Sequence, residues 1–383
     1  MKKNYRHKAH KKGELQNKIL LIIMHVFRYL LAATFIFSGF VKAIDPLGTA
    51  YKIEDYLISF NHSFIALFPT ALPISIALSG FELIVGLNYL LNISTKKTSC
   101  WALVFMLVMT PLTLYIALFE PVSDCGCFGD ALIISNWATF YKNLVISAFV
   151  VYVLVVCNKT KPFFVKKIER AFVILFAAIA LAIPVHSLLN LPIIDFRPYK
   201  VGVNIYNDMQ IPANAPTDQF ETTFILEKNG VRKEFTLENY PAESEGWKFI
   251  DQKTVLIKKG FEPKIKDFMI IDSEFNDITD MALTNSGTTY LIVINNLNKT
   301  SLKGIAKIEA FYNKIKNTDT QFYALTAASA DDVAKFKAEN NITFPFYKLD
   351  PITLKTMVRA NPGIVELKNG TITKKWNWRN FEK

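Results

Sequence analysis

The spacing of apolar and polar residues divides this chain near residue 195. Before that point, blocks of about 20 predominantly apolar residues, the length that spans a bilayer core, run over 19–41, 71–93, 100–119, 137–157 and 171–189. Pro111 and Pro184 fall inside two of them, where neighbouring groups in a membrane bundle re-satisfy the freed carbonyls. The stretch 45–68 mixes aromatic and charged residues, is too polar to span, and predicts a partly amphipathic helix at the interface. After 195 the runs become short. TTFILEK, RKEFTL and KTVLIKK read as strands separated by turn residues such as Asn229-Gly230. From Asp267, β-type runs (TTYLIVI, TQFYALTA, ITFPFY, GIVEL) alternate with helix-like stretches over 301–315 and 330–339. Thr300 or Ser301 and Ser329 or Asp331 stand ready to cap those helices. Alternating strand and helix predicts a small α/β layer with partly parallel pairing.

Charge gives these blocks a direction. The chain of 383 residues has a formal net charge of +11 and is 51% hydrophobic with 20% charged residues. The basic excess collects in three short segments: the tail from Lys2 to Lys18, the Lys96-Lys97 turn, and the loop holding Lys159, Lys161, Lys166, Lys167 and Arg170. Successive basic segments are separated by two spans, so all three fall on one side, which the positive-inside rule makes cytoplasmic. The 45–70 segment, the loop around residue 125 and everything after 189 are then outside. The first apolar block is too long for a signal-peptide core and reads as a retained helix. No basic recognition motif or stacking platform accompanies the charge, which excludes nucleic acid as a partner and leaves the lipid bilayer. The expected organisation is a basic cytoplasmic tail (1–18), four spans (19–157), a basic loop with a fifth span (158–190), an exported β-rich segment (191–266) and an α/β region (267–383).

Candidate chemistry centres on Asp124-Cys125-Gly126-Cys127-Phe128-Gly129-Asp130. Two thiols separated by a single glycine close a disulfide only with a strained backbone, which glycine relaxes. Strained, exposed disulfides exchange readily, and the predicted outer side is the oxidising one. Spacing alone leaves open a cycling pair or a fixed staple. Cys100 and Cys157 sit at the opposite ends of their spans, too far to pair with the loop, and are expected to be reduced and buried in packing. Two cysteines without nearby histidines do not complete a zinc shell, so no metal is expected. Arg28 and Glu82 are charges inside apolar spans, where a partner or a polar niche is required. They are expected to form an ion pair or, with His25 one turn before Arg28, a niche for a quinone headgroup or a proton relay. Lys42, at the end of the first span, is expected to snorkel to the interface. Asn361-Pro362, before a strand of the α/β region, is a candidate cis bond at a ligand-facing turn.

These residues resemble a known family. Arg28, Ser38-Gly39-x-x-Lys42, Glu82 and above all Cys125-Gly126-Cys127-Phe128-Gly129 are similar to the pattern of DoxX/MauE-type membrane proteins over 19–157. The resemblance implies a four-helix membrane core and a link to forming or maintaining disulfides in exported partners, with a membrane quinone as electron acceptor. The stretch 267–383 resembles a thioredoxin-like domain: Tyr290–Ile294 as its first core strand, a helix from Ser301, and Asn361-Pro362 where that fold places its cis-proline. It departs in chemistry, since Asn295 to Ser301 stands where the fold carries CxxC and no cysteine follows Cys157. Five spans with a cysteine-free tail resemble DoxX-type proteins of Bacteroidetes. The expected fold class is therefore a membrane α-helical bundle, a DoxX/MauE-like four-helix core plus a fifth transmembrane helix, followed by an α/β thioredoxin-like exported domain. Two functions fit. In one, the chain is a thiol–disulfide oxidoreductase of the bacterial inner membrane. Its catalytic pair Cys125/Cys127 serves an exported cysteine-containing protein and passes electrons to quinone near Arg28, Glu82 and His25. In the other it is a non-catalytic scaffold whose tail docks a partner around Pro362.

Overall fold

The computed structural model describes residues 2–382 apart from 123, 161 and 243–244, with side chains from residue 14 onward except that of Lys159. The basic tail's side chains before Glu14 and that of Lys161 lie outside this set. Among the described residues, five helices are long and apolar enough to cross a membrane, over Glu14–Ile44, His62–Leu90, Thr95–Phe119, Asn136–Val156 and Lys166–Leu189. They belong to α1 (Lys2–Ile44), α3 (Phe68–Leu90), α4 (Thr95–Phe119), α5 (Asn136–Val156) and α6 (Lys166–Leu189). Neither Pro111 nor Pro184 ends its helix. Short α2 (Pro46–Phe60) follows α1 in the segment expected at the interface, capped by Asp45, whose carboxylate accepts from the Gly48 amide.

The bundle closes because α1 offers one continuous buried stripe. Met24, Arg28, Leu31, Phe35, Ser38 and Lys42 recur at three- and four-residue spacing, which places them on one helical face. Small residues bring α1 and α3 together. A Cβ added at Gly39 would lie 2.5 Å from the Leu83 nitrogen, and one at Gly86 2.6 Å from the Ile36 nitrogen. Such contacts let membrane helices pack backbone to backbone. Aromatic pairs such as Phe27–Phe149, with ring centroids 4.1 Å apart, fill the wider gap between α1 and α5.

Two sheets follow. Strands β1 (Gln219–Lys228), β2 (Val231–Thr236) and β3 (Lys248–Lys258) form an antiparallel sheet in the order β2-β1-β3. The second sheet runs β6-β5-β4-β7-β8, built from β4 (Thr288–Val293), β5 (Gln321–Thr326), β6 (Phe346–Lys348), β7 (Gly363–Lys368) and β8 (Thr371–Asn377). Strands β4, β5 and β6 are parallel, β7 runs antiparallel to β4, and β8 runs antiparallel to β7. Alternate residues of β4 enter different cores: Leu291 and Val293 one, Ile292 and Ile294 the other. Both faces of this sheet are therefore covered. Beyond the short helices α7 (Ile205–Met209) and α8 (Thr279–Leu283), helix α9 (Leu302–Ile315) starts at a Ser301 cap and α10 (Ala330–Asn340) at a Ser329 cap. The soluble half is thus an α/β region, as the strand–helix alternation predicts. Strand β8 escapes that prediction because its sequence TITKKWN pairs apolar residues with lysines. Replacing Leu291, which is wholly buried, by alanine should cost about 2–5 kcal/mol, read as a lower thermal midpoint of the soluble half in the full-length protein.

Candidate functional site

The loop after α4 folds back onto the end of α1 and onto α2. Gly126 has φ of +63°, a left-handed conformation that glycine adopts without a Cβ penalty. Its amide donates to Asp124 Oδ1 at 2.9 Å, while Lys52 Nζ from α2 meets Asp124 Oδ2 at 2.8 Å. The Tyr56 hydroxyl, one turn further along α2, donates to the Cys125 carbonyl at 2.7 Å. Across the bundle the Ser38 hydroxyl lies 2.8 Å from the Cys127 carbonyl and 2.8 Å from Glu82 Oε2. Both ends of the Cys-Gly-Cys turn are therefore pinned, one by α2 and the other by α1.

The two sulfurs face each other at 2.8 Å as free thiols. They are 9% and 8% exposed, so the pair is buried rather than displayed on the outer surface as an exposed disulfide would be. Cys125 packs with Ile116, Leu112 and Tyr115 of α4. Cys127 faces the interior niche that also holds Ser38, Lys42, Glu82 and Lys142. The hydrogen bond from the Cys125 thiol lowers the Cys127 thiol to about 6, overcoming burial, with Lys142 and Lys42 adding positive charge. The same bond and burial push the Cys125 thiol up. Cys127 is thus the sulfur prepared to carry negative charge, and thiolate is the reactive form.

Glu82 does not pair with Arg28. Lys42 Nζ lies 2.7 and 2.9 Å from its two carboxylate oxygens and 3.1 Å from Ser38 Oγ, all buried. Arg28 lies 10 residues before Ser38, about 15 Å along the helix. There its guanidinium donates to the Tyr89 and Leu90 carbonyls at the end of α3 and sits 4.4 Å from the Tyr29 ring centroid. A cation at a helix C-terminus satisfies otherwise orphaned carbonyls. His25, half-buried beside Arg28, is equally remote from Glu82. Lys42 does not reach for the interface as expected, because Glu82 supplies an anion within the bundle. Cys100 also departs from expectation: it is exposed on the outer face of α4, while Cys157 is buried. Pro362 follows a cis peptide bond and is buried, so close to α9 that a Cβ at Gly304 would meet its Cγ at 2.9 Å.

The niche beside Glu82 encloses about 30 Å³, space for one or two water molecules and far too little for a quinone ring. Arg28 and His25 do not help line it. The quinone site expected from these three residues is not assembled here.

Residues 20–156 match the family model described as methylamine utilisation protein MauE. Those residues form a MauE-type membrane domain, and α6 lies beyond the match. Residues 220–259, which hold the three-stranded sheet, match a family described as a domain of unknown function (DUF8463). No curated protein matches the chain. In the MauE-type domain, the residues that sequence reasoning passed over are Lys42 as the partner of Glu82, Lys142 beside Cys127, and the α2 pair Lys52 and Tyr56. Only Lys42 carried a signal, since Ser38 and Lys42 are one turn apart and share a face.

Two predictions follow from this geometry. Lys42→Met or Glu82→Leu alone strands a buried charge and should cost about 3–5 kcal/mol, whereas the double variant should recover most of it; thermal unfolding of the detergent-solubilised protein measures both. Alkylation of Cys127 should reach half its maximal rate near pH 6, and Lys142→Met should move that midpoint upward, since removing a nearby cation disfavours the thiolate.

Proposed function

We propose that the chain is an inner-membrane thiol–disulfide exchange protein in which Cys125 and Cys127 serve an exported partner, with the cysteine loop and the soluble half on the outer side. The observation that carries this reading is the polarised pair itself, with one thiol held acidic by its neighbour and by two lysines. In the oxidising direction a partner thiolate attacks the Cys125–Cys127 disulfide and displaces Cys127 as the more stable thiolate, leaving a mixed disulfide to Cys125. A second partner thiolate then resolves it. The partner gains one disulfide, and the pair takes up two electrons and two protons. In the reducing direction Cys127 attacks a partner disulfide. A membrane quinone is the acceptor this reading assigns to the reduced pair. The niche at Glu82 is smaller than a ring, so no step is routed through it.

In the same reading the α/β half is thioredoxin-like. Parallel β4 and β5 flanked by antiparallel β7 and β8, the helix opening at Ser301 after β4, and the cis Asn361–Pro362 bond before β7 support that view. Without cysteines it presents rather than reacts. A second reading, a non-catalytic scaffold, is favoured by the burial of both sulfurs. The two separate in one experiment. With Cys125→Ser in native membranes, Cys127 can still attack a partner disulfide but has no neighbouring thiol to resolve the product, so the exchange reading expects a mixed disulfide trapped on Cys127 and visible as a reducible higher-mass band. A scaffold gives no such band, and its fold survives the substitution equally well.

A further inference from the structure

Arg359 of the soluble half reaches the cysteine loop. Arg359 stands three residues before the cis-proline, and its Nε lies 2.9 Å from both carboxylate oxygens of Asp45. Its Nη2 lies 3.4 Å from Asp130 Oδ2, and Nη1 donates to the Lys355 carbonyl of its own domain. The guanidinium also lies over Tyr51 of α2, 5.4 Å from the ring centroid. Arg359 is 7% exposed, and a desolvated guanidinium with two carboxylates is a contact that counts, unlike a surface pair.

Its two acidic partners occupy telling positions. Asp45 caps α2, the helix that carries Lys52 and Tyr56, which hold the front of the cysteine turn. Asp130 closes that loop at its far end. One side chain from the soluble half therefore ties the cover of the thiol pair to the loop it covers. Beside this contact, between the two halves, lies a cavity of about 810 Å³ whose wall includes Gly126 and Gly129. That volume is within the range of ligand-binding clefts. Its wall is formed in part by α2 residues and by the loop glycines, and neither Cys125 nor Cys127 lines it.

We propose that Arg359 is a positioning residue that gates the Cys125–Cys127 pair. With the soluble half docked, Arg359 holds α2 and the loop together and the thiols stay sealed. When the soluble half shifts, the Asp45 and Asp130 contacts break, α2 lifts with Lys52 and Tyr56, and the cavity opens onto the sulfurs. A polypeptide cysteine approaches by that route. The route's use by a partner rests on the exchange reading above; the gate does not, since it concerns access alone.

The test measures thiol access in the full chain in native membranes, reduced beforehand and labelled with a small membrane-permeant maleimide. Peptide mapping follows Cys125, Cys127 and the buried Cys157 separately. Arg359→Met should raise the labelling rate of Cys125 and Cys127 at least tenfold with Cys157 unchanged, and Arg359→Lys, which keeps the charge, should give an intermediate rate. Asp130→Asn, which removes only the longer contact, should give a smaller rise than Arg359→Met. Rates for Cys125 and Cys127 within twofold of wild type in Arg359→Met overturn the gate. If Cys157 accelerates as well, that variant has loosened the fold. Asp130→Asn and Asp45→Asn then decide by the same criterion: a selective rise supports the gate and none overturns it. Mixed-disulfide trapping can fail while gating is found, or the reverse, so the two proposals stand or fall separately.

Discussion

The structure of the membrane half depends on a buried ion pair, Lys42 with Glu82. Two charges in an apolar bundle are tolerable only as partners with their remaining hydrogen-bonding capacity filled. Here Ser38 supplies part of that capacity: it accepts from Lys42 and shares its proton between Glu82 and the Cys127 carbonyl. The pair thus fixes the register of α1 against α3, where Gly39 and Gly86 allow close approach. It also anchors the cysteine turn to the bundle through one hydroxyl. A requirement for charge balance becomes a requirement on where the sulfurs sit.

That placement accounts for the asymmetry of the thiols. A buried cysteine ordinarily resists ionisation, because burial penalises the charged form. Cys127 escapes this through a hydrogen bond from Cys125 and the nearby lysines, Lys142 resting 4.4 Å from the Phe128 ring centroid. Cys125 lies among Ile116, Leu112 and Tyr115 and donates instead. The glycine between them provides the left-handed turn that lets both sulfurs point to the same interior. Sequence spacing indicates a thiol pair that can meet; only packing distinguishes the two sulfurs.

How much was legible in the sequence follows from what each signal measures. Bilayer-length apolar blocks report five spanning helices because span length is a one-dimensional property. The Ser301 and Ser329 caps were legible for the same reason, being local hydrogen bonds. The partner of Glu82 was not, because it depends on how far one helix slides and rotates against another. Arg28 looked like the stronger candidate, deep within its span, and Lys42 like a residue at a border. In the fold Arg28 instead closes the end of α3. The MauE-type motif marked Lys42 and Glu82 individually without stating that they meet. Arg359 was invisible for a plainer reason: its partner Asp45 is 314 positions away, and an arginine before a turn carries no mark of an acidic partner in another half of the chain.

The division between the halves has a physical consequence of its own. An α/β layer without cysteines cannot exchange thiols, and a buried thiol pair cannot meet a polypeptide partner unaided. Each half lacks what the other holds. The bundle supplies sulfurs, a tuned thiolate and the charge balance that keeps them in place, all in an interior closed to polypeptide. The α/β half supplies a surface, a cleft against the membrane half, and one arginine that reaches both the helix over the thiols and the loop that carries them. A sealed pair is protected from indiscriminate oxidation wherever its surroundings are oxidising. The same seal bars a polypeptide thiol unless it opens, so the proposed exchange couples access to an element that a partner can move. Among the described residues, Arg359 is the side chain that joins such an element to both boundaries of the seal, and on that geometry the soluble half acts as the handle of the membrane site.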